Sequence, residues 1–211
     1  MQKAPAPPTS APPAAPVDGR TLRSMRTREA IVDATISLID EGDLRPTAPR
    51  VAERAGVSVR SVFQHFDDLE SLHAAVAERL VERVAVLVVP IDPAGPLDDR
   101  LTRFVHQRVL LLEAVSPIRR AAGVHGPFST EITARLRDGQ EFLRSELERT
   151  FEPELDACES ADRTEVLDAL DAALSWSTWE GLRAGRGRDE AAAERVLRRL
   201  ASAVLTQARA G

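Results

Sequence analysis

TAPRVAERAGVSVRSVFQHF, residues 47–66, reads as two short amphipathic segments joined at a glycine. Val51, Ala52 and Ala55 recur on one helical face, and Val62 and Phe66 recur on another, so the two segments can pack together. Gly56 stands where the first segment must stop, because a residue without Cβ takes the left-handed conformation that ends a helix. Two positions on, Ser58 has the hydroxyl that caps the next helix. The pattern predicts a helix-turn-helix. It leaves Val59, Arg60, Ser61, Gln64 and part of Phe63 and His65 outside the local core.

Two readings of those outward groups stay open on the pattern alone. A helix in the DNA major groove reads base edges with forked or amide side chains, and Arg60 suits guanine as Gln64 suits adenine. The other reading is a tight hairpin in an ordinary helical core, with both side chains simply solvated.

Working outward, an amphipathic segment precedes this stretch and DDLESL follows it. Thr47 opens the first short helix, Val51 and Ala52 form a hydrophobe-Ala pair, and AGVS stands at residues 55–58. Phe63, His65 and Phe66 close the second helix. In these features the chain resembles the DNA-binding domain of the tetracycline-repressor (TetR) family of bacterial regulators over about 55 residues. The resemblance implies DNA contacts from Thr47, Ser58, Val59, Arg60, Ser61, Phe63, Gln64 and His65. It departs from the family's pattern at Phe63, usually Tyr, at Leu69, usually Lys, and at Arg60, where a small residue is commoner. With no tyrosine in the chain, the contact at position 63 can only be apolar.

The rest of the chain sets bounds. Ala, Leu, Val, Arg and Glu dominate its 211 residues and aromatics are 4%, which predicts an all-α fold. A single cysteine, Cys158, excludes an intrachain disulfide and fits a reducing compartment. No signal-peptide pattern and no apolar run of spanning length is present, so a cytoplasmic protein with no membrane partner is expected. The net charge is −5, yet residues 1–67 carry nine basic and eight acidic side chains, so the acidity belongs to the remainder. Arg45, Arg50, Arg54 and Arg60 lie in or beside the reading segment.

Three regions follow from this pass. Residues 1–19 are a Pro/Ala-rich tail without periodicity, expected to be disordered. Residues 20–68 form the helix-turn-helix domain, whose first helix is expected from about residue 27 to 41. Ahead of it, Arg20, Arg23, Arg26 and Arg28 make either a flexible arm for phosphates or a solvated run. Residues 69–211 form a larger helical domain. Its helices are expected to run from 69 to Pro90, from 97 to 117 with a shorter segment over 118–125, and from 130 to 151. A polar connection over 153–163 leads to two last helices at about 164–184 and 189–209.

The two last helices carry more apolar surface than one core needs. Leu167, Leu170, Leu174 and Ser177 form one stripe with Ala172, Trp176 and Trp179 nearly opposite. Val196, Leu200 and Val204 form one row of the final helix, and Leu197, Ala201 and Leu205 another. Two-sided apolarity predicts a homodimer through these helices, which the resemblance also implies. The resemblance further implies a small-molecule effector. Phe104, His106, Phe128, Phe142, Trp176 and Trp179 are the candidate lining of its pocket, with His106 or Arg108 as polar handle.

Catalytic signatures are missing. His65, His73, His106 and His125 include no pair at a helical ligand spacing, Cys158 has no nearby histidine, and no Gly-rich phosphate loop occurs. No enzyme activity, cofactor or metal is expected. The rivals are a protein-binding helical adaptor and an enzyme on a helical scaffold.

Overall fold

The computed structural model describes residues 19–125 and 130–208. Among them are ten helices and no strand, in keeping with the all-α expectation. They are α1 (Gly19–Asp40), α2 (Ala48–Ala55), α3 (Val59–His65), α4 (Leu69–Ala85) and α5 (Leu97–His125), then α6 (Thr130–Thr150), α7 (Glu152–Asp156), α8 (Ser160–Ala173), α9 (Trp176–Arg183) and α10 (Glu190–Ala208). The tail expected over residues 1–19 lies outside the described residues except for Gly19, which opens α1.

α1 begins eight residues earlier than the apolar pattern predicts. Residues 20–26 hold good helix formers (Arg, Leu, Met) and no breaker, so propensity carries the helix into solvent with Leu22 and Met25 exposed. Arg20, Arg23, Arg26 and Arg28 therefore stand on a helix, not on a flexible arm. From Ile31 onward the helix has a buried stripe. It stops at Gly42, φ +96°, where Gly42 N–H donates to the Ile39 carbonyl at 2.9 Å and Asp43 N–H to the Leu38 carbonyl at 3.0 Å.

Two apolar clusters organise the molecule. In the first, Ile31, Val32, Ile36, Leu38 and Ile39 of α1 meet Val51 and Ala52 of α2, Val62 and Phe66 at α3, and Leu72, Ala75 and Val76 of α4. Each fully buried aliphatic side chain here stabilises by roughly 1.5–3 kcal/mol. α5 also reaches this cluster, through Ile118 and Ala121. The second cluster holds Leu101, Phe104, Val105, Val109 and Leu112 of α5 with Leu147, Phe151 and Leu155. Leu167, Leu170, Leu174 and Trp179 complete it together with Ala193, Leu197, Ala201 and Leu205 of α10.

Because α5 packs into one cluster near its start and the other near its end, it continues through Pro117, where the sequence pattern divides it. Packing on both sides outweighs the loss of one backbone donor. α4 is shorter than the pattern suggests and ends at Ala85, with Val86–Val89 turning away from it. The polar connection expected over 153–163 contains α7, with Leu155 fully buried.

The helix expected at 164–184 is two helices. Ser175 caps α9 by accepting from Thr178 N–H at 3.2 Å, and this break resets the register. Leu174 and Trp179 consequently face the same core, both 0% exposed, while Ser177 is exposed. Trp179 is thus not opposite the leucine stripe. No helix among the described residues is long and apolar enough to cross a membrane.

Candidate nucleic-acid interface

The turn between α2 and α3 is set by two backbone hydrogen bonds. Gly56, φ +68° and ψ +31°, donates to the Glu53 carbonyl at 3.2 Å, and Val57 N–H donates to the Ala52 carbonyl at 3.0 Å. These are the paired bonds of a Schellman motif, and they use carbonyls that would otherwise be unpaired. Ser58 then starts α3, its hydroxyl accepting from Ser61 N–H at 3.1 Å. Val62 and Phe66, at 1% and 3% exposure, fix the inner face of α3 on the core.

With that face fixed, the opposite face of α3 is determined. Val59, Arg60, Phe63 and Gln64 are exposed, Phe63 to 50%; Ser61 and His65 are half-buried. Arg60 and Gln64 stand one helical turn apart and form no hydrogen bond or ion pair among the described residues. Thr47 caps α2 with extended backbone and an exposed side chain that makes no capping bond. Its hydroxyl and the first N–H groups of α2 form one polar edge.

The arginines divide into two kinds. Arg54 donates to both carboxylate oxygens of Glu41 at 2.7 Å and to Ser37 Oγ at 2.6 Å, and so pins α2 to the end of α1. Arg50 donates to Asp43 at 2.6 Å, and Arg28 lies over the Phe66 ring at 4.9 Å. Sequence counting credits Arg50 and Arg54 to the reading surface. Each is instead held by a carboxylate outside the segment, leaving Arg45 and Arg60 without an acidic partner among the described residues. Leu69, half-way out of the surface at the start of α4, follows Asp68, which caps that helix in a reciprocal box with Ser71.

Three carboxyls held by hydrogen bonds, Glu41, Asp68 and Glu180 of α9, give the fold an acid limit. Hydrogen bonds from Arg54 hold Glu41 below its ordinary 4.5, the Ser71 backbone N–H holds Asp68 below 3.8, and Arg120 holds Glu180 below 4.5. A carboxyl depressed in the folded state adds stability above its unfolded value and loses it as pH falls through the folded one. The urea midpoint is therefore expected to stay level from pH 7 to about 5 and to fall below that. Glu41→Gln should flatten part of the fall; an unchanged slope in that variant rejects the assignment to Glu41.

The five described pocket candidates are not gathered around one cavity. Phe104 is core, edge-on to Phe151 at 5.3 Å, and Trp179 is buried in the same cluster. His106 is exposed and faces Glu194 at 3.3 Å, while Phe142 is 48% exposed. Trp176 is half-buried and donates to Ser116 Oγ at 3.1 Å, with the Arg119 guanidinium over its ring at 5.0 Å. Phe128 lies outside the described residues. The charged pair that sequence reasoning missed is Arg100 and Glu154, 4% and 8% exposed and joined through both carboxylate oxygens at 2.6 and 2.8 Å. Among the described residues no group of three or more His, Cys, Asp or Glu side chains could hold a metal.

Comparison with known proteins adds to this geometry. Residues 31–76 match the family described as bacterial regulatory proteins, tetR family. Among solved structures, the chain is similar to a tetR-family transcriptional regulator from Streptomyces coelicolor at 22% identity and TM-score 0.71, over 88% of this chain and 83% of that one. It is similar also to a TetR transcription regulator from Haloarcula marismortui (21% identity, TM-score 0.65, 87% and 98% covered). A transcriptional regulator from Rhodococcus sp. Rha1 gives 16% identity and TM-score 0.63, with 88% and 97% covered. No curated protein matches the chain in sequence. At these identities the solved structures speak for the fold, and the family match covers the segment that carries the helix-turn-helix. The segment that carries the helix-turn-helix thus matches the tetR family of bacterial regulatory proteins, and the described chain shares the fold of solved TetR regulators.

Proposed function

We propose that the protein is a homodimeric repressor that binds a palindromic double-stranded operator and releases it when a small-molecule effector binds. The observation that carries this reading is the exposed face of α3, where Arg60 and Gln64 have no competing partner among the described residues. Laid in the major groove, Arg60 reads guanine O6 and N7 and Gln64 reads adenine. Thr47, Ser58, Val59, Ser61, Phe63 and His65 set the register on the sugar-phosphate backbone, with Phe63 in apolar contact.

The division at residue 68 into a reading domain and a helical effector and dimerisation domain belongs to the same proposal. So does a cytoplasmic site of action by binding rather than by turnover. Support for the dimer comes from α10, whose Leu197, Ala201 and Leu205 are buried while Leu200 of the second row is 40% exposed between half-buried Val196 and Val204. A two-fold dimer sets two copies of α3 about 34–36 Å apart, or a multiple of this, to match successive turns of one duplex face.

Selection of genomic fragments by the purified protein tests the reading. It is expected to recover an inverted repeat with salt-dependent affinity, and recovery of no common sequence would overturn it. On that site Arg60→Ala should cost about 1–3 kcal/mol and relax preference at one base pair. Unchanged affinity and preference in a competition assay would remove Arg60 from the contact set.

A further inference from the structure

Two buried arginines differ in how they are satisfied. Arg100 is matched in charge and makes four hydrogen bonds: it donates to the Gly95 and Thr150 carbonyls, both at 2.7 Å, and to both oxygens of Glu154. Arg108, two turns further along α5, is as deeply placed at 3% exposure, yet among the described residues makes one hydrogen bond, from Nη2 to the Leu143 carbonyl at 2.8 Å. Its face lies over the Phe104 ring at 5.0 Å, which leaves the edge of the fork unused. No carboxylate lies in ion-pair contact with it among the described residues. Burial pulls its pKa down to about 10 against the weaker pull of Asp171 and Glu146. An unmatched buried cation is unfavourable unless something else meets it.

The guanidinium lines a small recess between α5, α6 and the segment after α4, bounded by Val88, Phe104, Gln107, Leu111, Leu143 and Glu146. Most of these walls are apolar. Glu146 is engaged by Arg149, and the Gln107 carbonyl oxygen accepts from Val89 N–H at 2.9 Å, which leaves the Gln107 amide as a second donor. We propose that this recess is a binding site for a carboxylic acid with a compact apolar body, its carboxylate taken by the free fork of Arg108 and the Gln107 amide.

As it stands the recess holds about 10 Å³, room for one water, so the acid enters by displacing Val88. That residue belongs to the stretch immediately after α4, whose other end follows the helix-turn-helix. The site thereby names a chemical class for the proposed effector, and in that respect rests on the effector reading above.

The test titrates full-length protein with benzoate and octanoate and with their neutral amides, by calorimetry. At least one acid should bind ten-fold or more tightly than its own amide, and Arg108→Met should lose that preference while melting at the same temperature as the parent or higher. If Arg108→Met does not fold by circular dichroism, Arg108→Lys decides, since a point charge in place of the fork should weaken the acid several-fold. Equal binding of acid and amide, no binding of either acid, or undiminished acid binding in the substituted chain overturns the site. An acid that binds through Arg108 without changing operator affinity supports the site and rejects effector release, so the two readings fail separately.

Discussion

Leu200→Glu is expected to convert the proposed homodimer to a monomer of about 23 kDa in sedimentation velocity, with a circular dichroism spectrum and melting curve close to the parent's. Leu200 is 40% exposed within the chain, flanked on its face of α10 by half-buried Val196 and Val204, and it bears on neither apolar cluster. A glutamate there is solvated in the monomer. At a two-fold helix interface it meets its own copy in an apolar seam and carries an unpaired charge out of water. The effect on DNA follows from linkage of two reading heads. When one α3 has docked, its partner sees the second half-site at a high effective concentration, and this is lost in the monomer, so full-operator affinity should fall by about 100- to 10,000-fold. Binding to an isolated half-site should not change. A variant that still sediments as a dimer would take the interface away from α10.

Whether such a loss can be read as one event depends on how the heads are held, and here the sequence was informative in a specific way. The turn of the reading head is fixed by interactions within three to five residues: Gly56 at positive φ, Val57 bonding back to Ala52, Ser58 capping on Ser61. Such interactions have residue-type signatures at fixed offsets, and periodicity then assigns Val62 and Phe66 inward and Arg60 and Gln64 outward. What was illegible depends on tertiary partners. Pro117 looks like a helix end until α5 is seen to be packed in both clusters. Trp179 looks like a second apolar face until the Ser175 cap resets the register. The α1 extension from Gly19 has no apolar stripe because it packs on nothing in the clusters, so pattern-based reasoning could not place it. Arg50 and Arg54 look available for phosphate until Asp43 and Glu41 are found beside them.

The same limit applies with most force to Arg100 and Glu154, which are 54 residues apart and carry no mutual signal in the sequence. Their placement explains how three segments meet. Arg100 near the start of α5 donates to the Gly95 carbonyl of the preceding turn, to the Thr150 carbonyl at the end of α6, and to Glu154 in α7. Its guanidinium also lies 5.9 Å from the centroid of the fully buried Phe151 ring. The pair is therefore the polar clasp over one end of the second cluster, where α6 turns into α7.

Glu154→Ala is expected to destabilise the protein by about 3–5 kcal/mol, because it strands a guanidinium in a site almost closed to water. Against a typical total of about 5–15 kcal/mol that is a large fraction, visible as an early equilibrium transition in urea. The double variant Arg100→Met, Glu154→Leu removes both charges and keeps most of the volume, and it should recover much of the loss. That contrast separates the two roles an ion pair can have. If the double variant is as unstable as Glu154→Ala alone, the carbonyls of Gly95 and Thr150 depend on Arg100 as their donor, and the clasp acts through the backbone it satisfies; if it matches the parent, the charges hold geometry without adding net stability.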